Sequence, residues 1–127
     1  MKKAVLILSL CFALTATYAQ EKVKFMQITT IESVVGGGFG RSKMIITKED
    51  GTQEESDMEN LFSLTGINMK NIKSNETSIL KVLKSYSDDG WRIQSTTPLT
   101  LSPNQNNGNG IFMTRYLLVK EDVKKGF

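Results

Sequence analysis

The chain has no histidine and one cysteine, Cys11, in its 127 residues. Without imidazole there is no Ser-His-Asp catalysis, no histidine metal site and no imidazole proton shuttle. Cys11 sits inside an N-terminal apolar run from Ala4 to Ala16, preceded by Lys2 and Lys3 and followed by Thr17-Tyr18-Ala19-Gln20. A charged start, a short apolar middle and a small residue before a polar one read as a secretory signal peptide over 1–19, cleaved after Ala19. The run is shorter than the roughly 20 residues a spanning helix needs. Leu10 stands immediately before Cys11 where a lipoprotein signal needs a small residue. Once that segment leaves, no disulfide, cysteine nucleophile or thiolate metal site remains. Stability must come from packing.

A basic excess is missing as well. Of 16 basic residues, Lys2 and Lys3 leave with the signal, so 14 face 13 acidic ones. Nothing in that balance drives binding to nucleic acid or to an anionic membrane. The expectation is an exported chain, periplasmic or secreted, with no stable membrane insertion after cleavage. Residues 20–123 are read as a single small domain of a size that buries a modest core unaided, and 124–127, with Lys124 and Lys125, as a frayed tail.

What is present is organised around the stretch from Asn75 to Thr97. Ile79, Val82, Leu83 and Tyr86 recur at helical spacing, with Leu80 at the margin and Lys81, Lys84 and Ser85 turned away. The spacing predicts a principal helix over about 75–89, capped by Ser74 or Asn75, with Glu76 near its positive end. Gly90 supplies the left-handed residue that ends it. Trp91-Arg92-Ile93-Gln94-Ser95 then alternates as a strand, with Trp91 as the expected anchor of the core beside Ile93.

Upstream, Lys22 to Val35 is rich in β-branched residues and reads as a first strand. Gly36-Gly37-Gly38-Phe39-Gly40 follows as a turn or mobile loop. A second strand from Arg41 to Glu49 leads through Asp50-Gly51, a two-residue hairpin signal, into a polar third strand suited to a sheet edge. Between Ser56 and Gly66 a capping-box spacing, Ser56 with Glu59, favours a short helical turn over an extension of that strand. The stretch from Pro103 to Gly110 reads as an exposed loop, and Ile111 to Val119 as a closing strand that pairs with the Trp91 strand. Phe112 and Tyr116 are expected in the core. The fold class is α+β: a mainly antiparallel sheet of four to five strands with one helix on one face.

Leu83, Tyr86, Gly90, Trp91, Ile93, Tyr116 and Lys120 together resemble the bacterial family called domain of unknown function 4177, in which a helix ends before Gly-Trp, an alternating strand, a variable loop and a closing Tyr-Leu strand. The likeness covers about a third of the mature chain. Ser87, Arg92, Gln94 and Glu121 depart from the family's pattern. It implies a small sheet with a helix packed across it, and carries no activity or functional residues.

Constellations for chemistry are sparse. The glycine-rich stretch lacks phosphate-loop spacing, since Val35 stands where a glycine belongs and Arg41 where a lysine does. It is read as a strand connection, with an anion- or ligand-gripping loop at Gly38, Gly40, Arg41 and Ser42 as the second reading. Asp88 and Asp89 face the negative end of their helix without calcium-loop spacing, and read as solvated acids. Asn75-Glu76-Thr77 matches the glycosylation pattern. The reading that follows is a cofactor-free, metal-free, non-enzymatic binding module with a protein or small ligand of the cell envelope as partner. Gly38, Phe39, Gly40, Arg41, Ser42, Asn106 and Asn107 are its candidate contacts. The alternatives are a hydrolase using two of Glu32, Glu59, Asp88 and Asp89, and a structural protein that self-associates through an open sheet edge.

Overall fold

The computed structural model describes residues 23–35, 41–102 and 109–122. The signal-peptide segment, the glycines before Arg41 and the Asn-rich loop containing Asn106 and Asn107 lie outside the described residues. Residues 24–120 form one compact unit.

The chain is α+β, as the patterning implies. β1 (Val23–Val35), β2 (Ser42–Lys48) and β3 (Gln53–Met58) are followed by two short strands, β4 (Phe62–Ser63) and β5 (Gly66–Ile67). Then come α1 (Met69–Asp88), β6 (Arg92–Leu101) and β7 (Asn109–Glu121). The main sheet has five strands in the order β3-β2-β1-β7-β6, and β4 and β5 make a separate two-stranded sheet. β2 is antiparallel to both β1 and β3, and β6 to β7. The two long strands, β1 and β7, are interior, and the polar β3 takes an edge.

The core sits between α1 and one face of this sheet. Met26 and Ile28 of β1, Met44 of β2, Ile79 of α1 and Leu118 of β7 are its buried members. Ile46, Met58, Val82, Leu83, Tyr86, Trp91 and Tyr116 pack around them. The predicted helix stripe is therefore the one that packs, while Leu80 is left in solvent.

Several local expectations are corrected. The helix starts at Met69, with Asn68 as its cap, accepting from the amides of Lys70 (3.1 Å) and Asn71 (3.3 Å). Asn75 lies inside α1 on the packed stripe and is 2% exposed. A polar residue at a core-facing position interrupts the apolar period, which is why it reads as a cap in sequence. Ser56 belongs to β3, which runs to Met58 opposite Ser42, so no helical turn forms there. The β2 strand alongside offers backbone partners that a one-turn helix cannot match. The β2–β3 connection is a three-residue loop, Glu49-Asp50-Gly51: the Lys48 carbonyl accepts from the Gly51 amide, and Gly51 takes φ +82°.

Trp91 is not the centre of the core. It precedes β6 and packs at the periphery, half-buried, whereas Ile28, Met44 and Leu118 are the fully enclosed apolar groups. Ile93 is 51% exposed and Phe112 45%, against the expectation that both are core. Both stand at the β6–β7 side, where β6 is the last strand and nothing follows it in the sheet.

Candidate functional site

The last turn of α1 closes as a Schellman motif. Gly90, at φ +86°, lets the Trp91 amide reach back to the Tyr86 carbonyl (3.0 Å) and the Gly90 amide to the Ser87 carbonyl (3.0 Å). This motif brings the residue after the glycine beside the residue three places before the cap, which here sets Trp91 next to Tyr86.

Those two rings form one wall of an open groove of about 530 Å³. Phe25 and Met26 of β1 line it, and Lys48, Glu49 and Asp50 border it at the β2–β3 turn. Its volume falls within the range of small-ligand sites, roughly 300–1,000 Å³. The rim is charged and largely self-paired. Lys48 holds Glu54 across the hairpin, and that contact raises the Lys48 pKa above the ordinary lysine value. Asp50 accepts from the Thr52 hydroxyl (2.7 Å) and amide (2.9 Å), which lowers its pKa. Asp89 accepts from Lys120 Nζ at 3.0 Å, and this contact, aided by the Trp91 side chain, holds its carboxyl below the usual range. The same Lys120 ammonium lies 6.0 Å from the centre of the Trp91 ring, at the outer limit of a cation–π contact.

The opposite end of the helix is built from asparagines. Asn75 Nδ2 donates to the Glu59 carbonyl (2.8 Å) and to Glu32 Oε1 (3.0 Å), while its Oδ1 accepts the Glu59 amide (2.8 Å). Asn71 Nδ2 donates to the Asn60 carbonyl (2.8 Å). Ser42 Oγ accepts the Ser33 amide (2.9 Å) and donates to Asn60 Oδ1 (3.1 Å). The chain between β3 and α1 is thus tied to the helix and to β1 by directional bonds. Because Asn75 is buried with all these bonds made, the glycosylation pattern it heads is inaccessible in the folded chain.

Of the residues singled out in sequence, Arg41 is exposed and Ser42 is 4% exposed with its hydroxyl committed to that network. Both border a separate hollow with Lys43, Asp57 and Met58. Gly38, Phe39, Gly40, Asn106 and Asn107 lie outside the described residues. The four acids weighed for hydrolysis separate into two groups. Glu32 and the main chain of Glu59 meet at Asn75, whereas Asp88 and Asp89 lie 13 or more residues further along α1, roughly 20 Å away. Asp88 is taken by Lys84 through both oxygens at 2.8 Å. Among the described residues no group of three His, Cys, Asp or Glu side chains stands close enough to hold a metal, and no helix is long and apolar enough to cross a membrane.

The groove residues Phe25 and Lys48 were not singled out by pattern, and Tyr86 was marked only as a member of the packed helix stripe. The available signal was Gly90 itself, since a Schellman closure followed by Trp pairs that ring with whatever stands at Tyr86.

No family model, curated protein or solved structure matches the chain. The resemblance to domain of unknown function 4177 rests on its own residues.

Proposed function

We propose that this chain is a non-enzymatic binding module, exported by its N-terminal segment to the periplasm or cell-surface space, and that it holds a small ligand or a protein partner in the groove beside Trp91. The observation that carries this reading is the placement of three aromatic rings, Phe25, Tyr86 and Trp91, around one open hollow with an apolar floor and a charged rim. Aromatic groups give large contact area for few rotatable bonds, which is why they dominate binding patches. Lys48, Asp50 and Asp89 on the rim are each held by a neighbouring side chain, Glu54, Thr52 and Lys120 respectively, an arrangement suited to orienting a ligand rather than to general acid–base work.

Trp91 is the only tryptophan and so reports on its own site. Envelope extracts fractionated by size are titrated against the purified chain and followed by Trp91 emission. A saturable change is expected from at least one fraction, and it should disappear in Tyr86→Ser while circular dichroism stays unchanged. Binding that survives both Tyr86→Ser and Phe25→Ser would remove the groove from the proposal. Export is checked by the mass of the chain recovered from the envelope, which should begin at Gln20.

A further inference from the structure

The chain from Phe62 to Ile67 folds as a tight hairpin, and its tip is apolar. Phe62 pairs with Ile67 and Ser63 with Gly66, which leaves Leu64 and Thr65 as the two residues of the turn. Turns of this length ordinarily carry Gly, Asn, Asp or Ser. Leu64 stands here instead and is 87% exposed, more than any other large apolar side chain among the described residues. The turn can hold it because Gly66, at φ +110°, takes the left-handed backbone, so neither Leu64 nor Thr65 needs a positive φ.

Polar bonds keep the tip in that shape. Ser63 Oγ donates to the Gly66 carbonyl (3.2 Å) and lies 3.1 Å from Thr65 Oγ1. At the base, the Asn68 amide donates to the Leu61 carbonyl (2.9 Å), the Leu61 amide to the Ser33 carbonyl (3.2 Å) and Asn71 Nδ2 to the Asn60 carbonyl (2.8 Å). The hairpin is thus fastened to β1 and α1 while Leu64 projects. Ile67 and Met69, 63% and 60% exposed, extend the apolar surface toward the helix. Glu59 and Glu76 flank this stretch, but from Asn60 to Asn75 the chain has no acid. Its two charged residues are Lys70 and Lys73, both exposed and with no carboxylate partner among the described residues.

We propose that this tip docks on an anionic lipid surface, with Leu64, Ile67 and Met69 entering the interfacial layer and Lys70 and Lys73 meeting the headgroup phosphates. Three protruding apolar residues fall far short of the roughly 20–30 residues a side that a specific protein contact uses. The patch is therefore too small to hold a second copy or a protein partner. A lipid interface asks for less: apolar side chains buried about 5–10 Å deep, with basic groups beside them to meet the negative surface potential. The near-balance of charge over the whole chain does not oppose this, because salt screens exposed charges beyond about 10 Å and what counts is the charge beside the tip. Docking of this kind is peripheral and uses no membrane-crossing helix, of which there is none among the described residues. The inference does not depend on the groove, which is lined from the other end of α1 by Tyr86 and Asp89.

Co-sedimentation with vesicles tests it, using the chain recovered from the envelope and phosphatidylglycerol mixed equally with phosphatidylcholine, against phosphatidylcholine alone. The chain is expected to bind the mixed vesicles, and the neutral ones roughly tenfold more weakly. Leu64→Asp should weaken binding to the mixed vesicles more than about tenfold. Circular dichroism and the urea midpoint should stay unchanged in that variant, since the side chain stands in solvent. Lys70→Ala and Lys73→Ala should each weaken binding about fivefold, and added salt should weaken it further by screening. Absence of binding to the mixed vesicles overturns the proposal, as does binding indifferent to Leu64→Asp. A dimer at sedimentation equilibrium that Leu64→Asp dissociates gives the tip to a second copy and also overturns it.

Discussion

The two ends of α1 are held to the sheet by different forces. At the N-terminal half, Asn71 and Asn75 reach sideways and bond to the backbone of Glu59 and Asn60, so the helix can sit in only one register there. At the C-terminal end, Tyr86 and Trp91 rest on the core by contact alone, and the ion pairs nearby are exposed. Hydrogen bonds made in a dry setting are directional and costly to break, whereas half-exposed rings tolerate shifts. The polar end therefore positions the helix, and the aromatic end keeps a hollow in which something else can be accommodated.

The sharpest way to break this contrast is Asn75→Ala. It removes the buried amide that holds both the N–H and the carbonyl of Glu59 and also bonds to Glu32, and is expected to cost about 3 kcal/mol, read as a lower urea midpoint. Trp91→Ala at the other end should cost less, about 2 kcal/mol, because the ring is only half-buried, yet it should abolish any ligand response. Equal costs for the two would remove the distinction. Gly90→Ala forces a side chain into the left-handed region at φ +86° and should cost about 1–2 kcal/mol; a Cβ there meets only Lys120 Cε at 3.7 Å, so strain rather than collision is responsible.

Thr30→Val probes a buried polar group of the opposite kind to Asn75. Thr30 is 1% exposed and its hydroxyl has no hydrogen-bond partner among the described residues. Replacing it with an isosteric apolar side chain should stabilise the chain by about 1 kcal/mol, measured by thermal unfolding. The smallest effect is expected at the Asp89–Lys120 pair. The folded-state pKa of Asp89 is lowered, so its contribution is present above the ordinary carboxylate pKa and is lost as pH falls through the lowered value. Asp89→Asn should flatten that portion of the acid limb below about pH 4, with Trp91 emission as the readout.

Different parts of this structure were legible in the sequence to different degrees. The β2–β3 hairpin was visible at Asp50-Gly51, though the loop uses Glu49 as well, because Gly51 provides a left-handed residue after the turn. The polar third strand foretold its edge position. The candidate site was half legible: Gly90 and Trp91 were marked, but Phe25 and Lys48 come from strands far away in the chain, and no local pattern ties them to Tyr86.

What the sequence determined by itself was the α+β class, the packed stripe from Ile79 to Tyr86 and the stop at Gly90. These follow from signals contained within a few residues: a 3.6-residue period, and a backbone conformation that glycine adopts without strain. Only the tertiary structure decided that Asn75 is buried, that α1 begins at Met69, that Ser56 to Met58 continues β3 while Phe62 to Ile67 folds as a small hairpin, and that Trp91 lies at the rim. Each of these depends on which distant segment passes opposite, since a buried amide is stable only where another strand's backbone meets it, and a ring is enclosed only where a neighbouring strand remains to cover it.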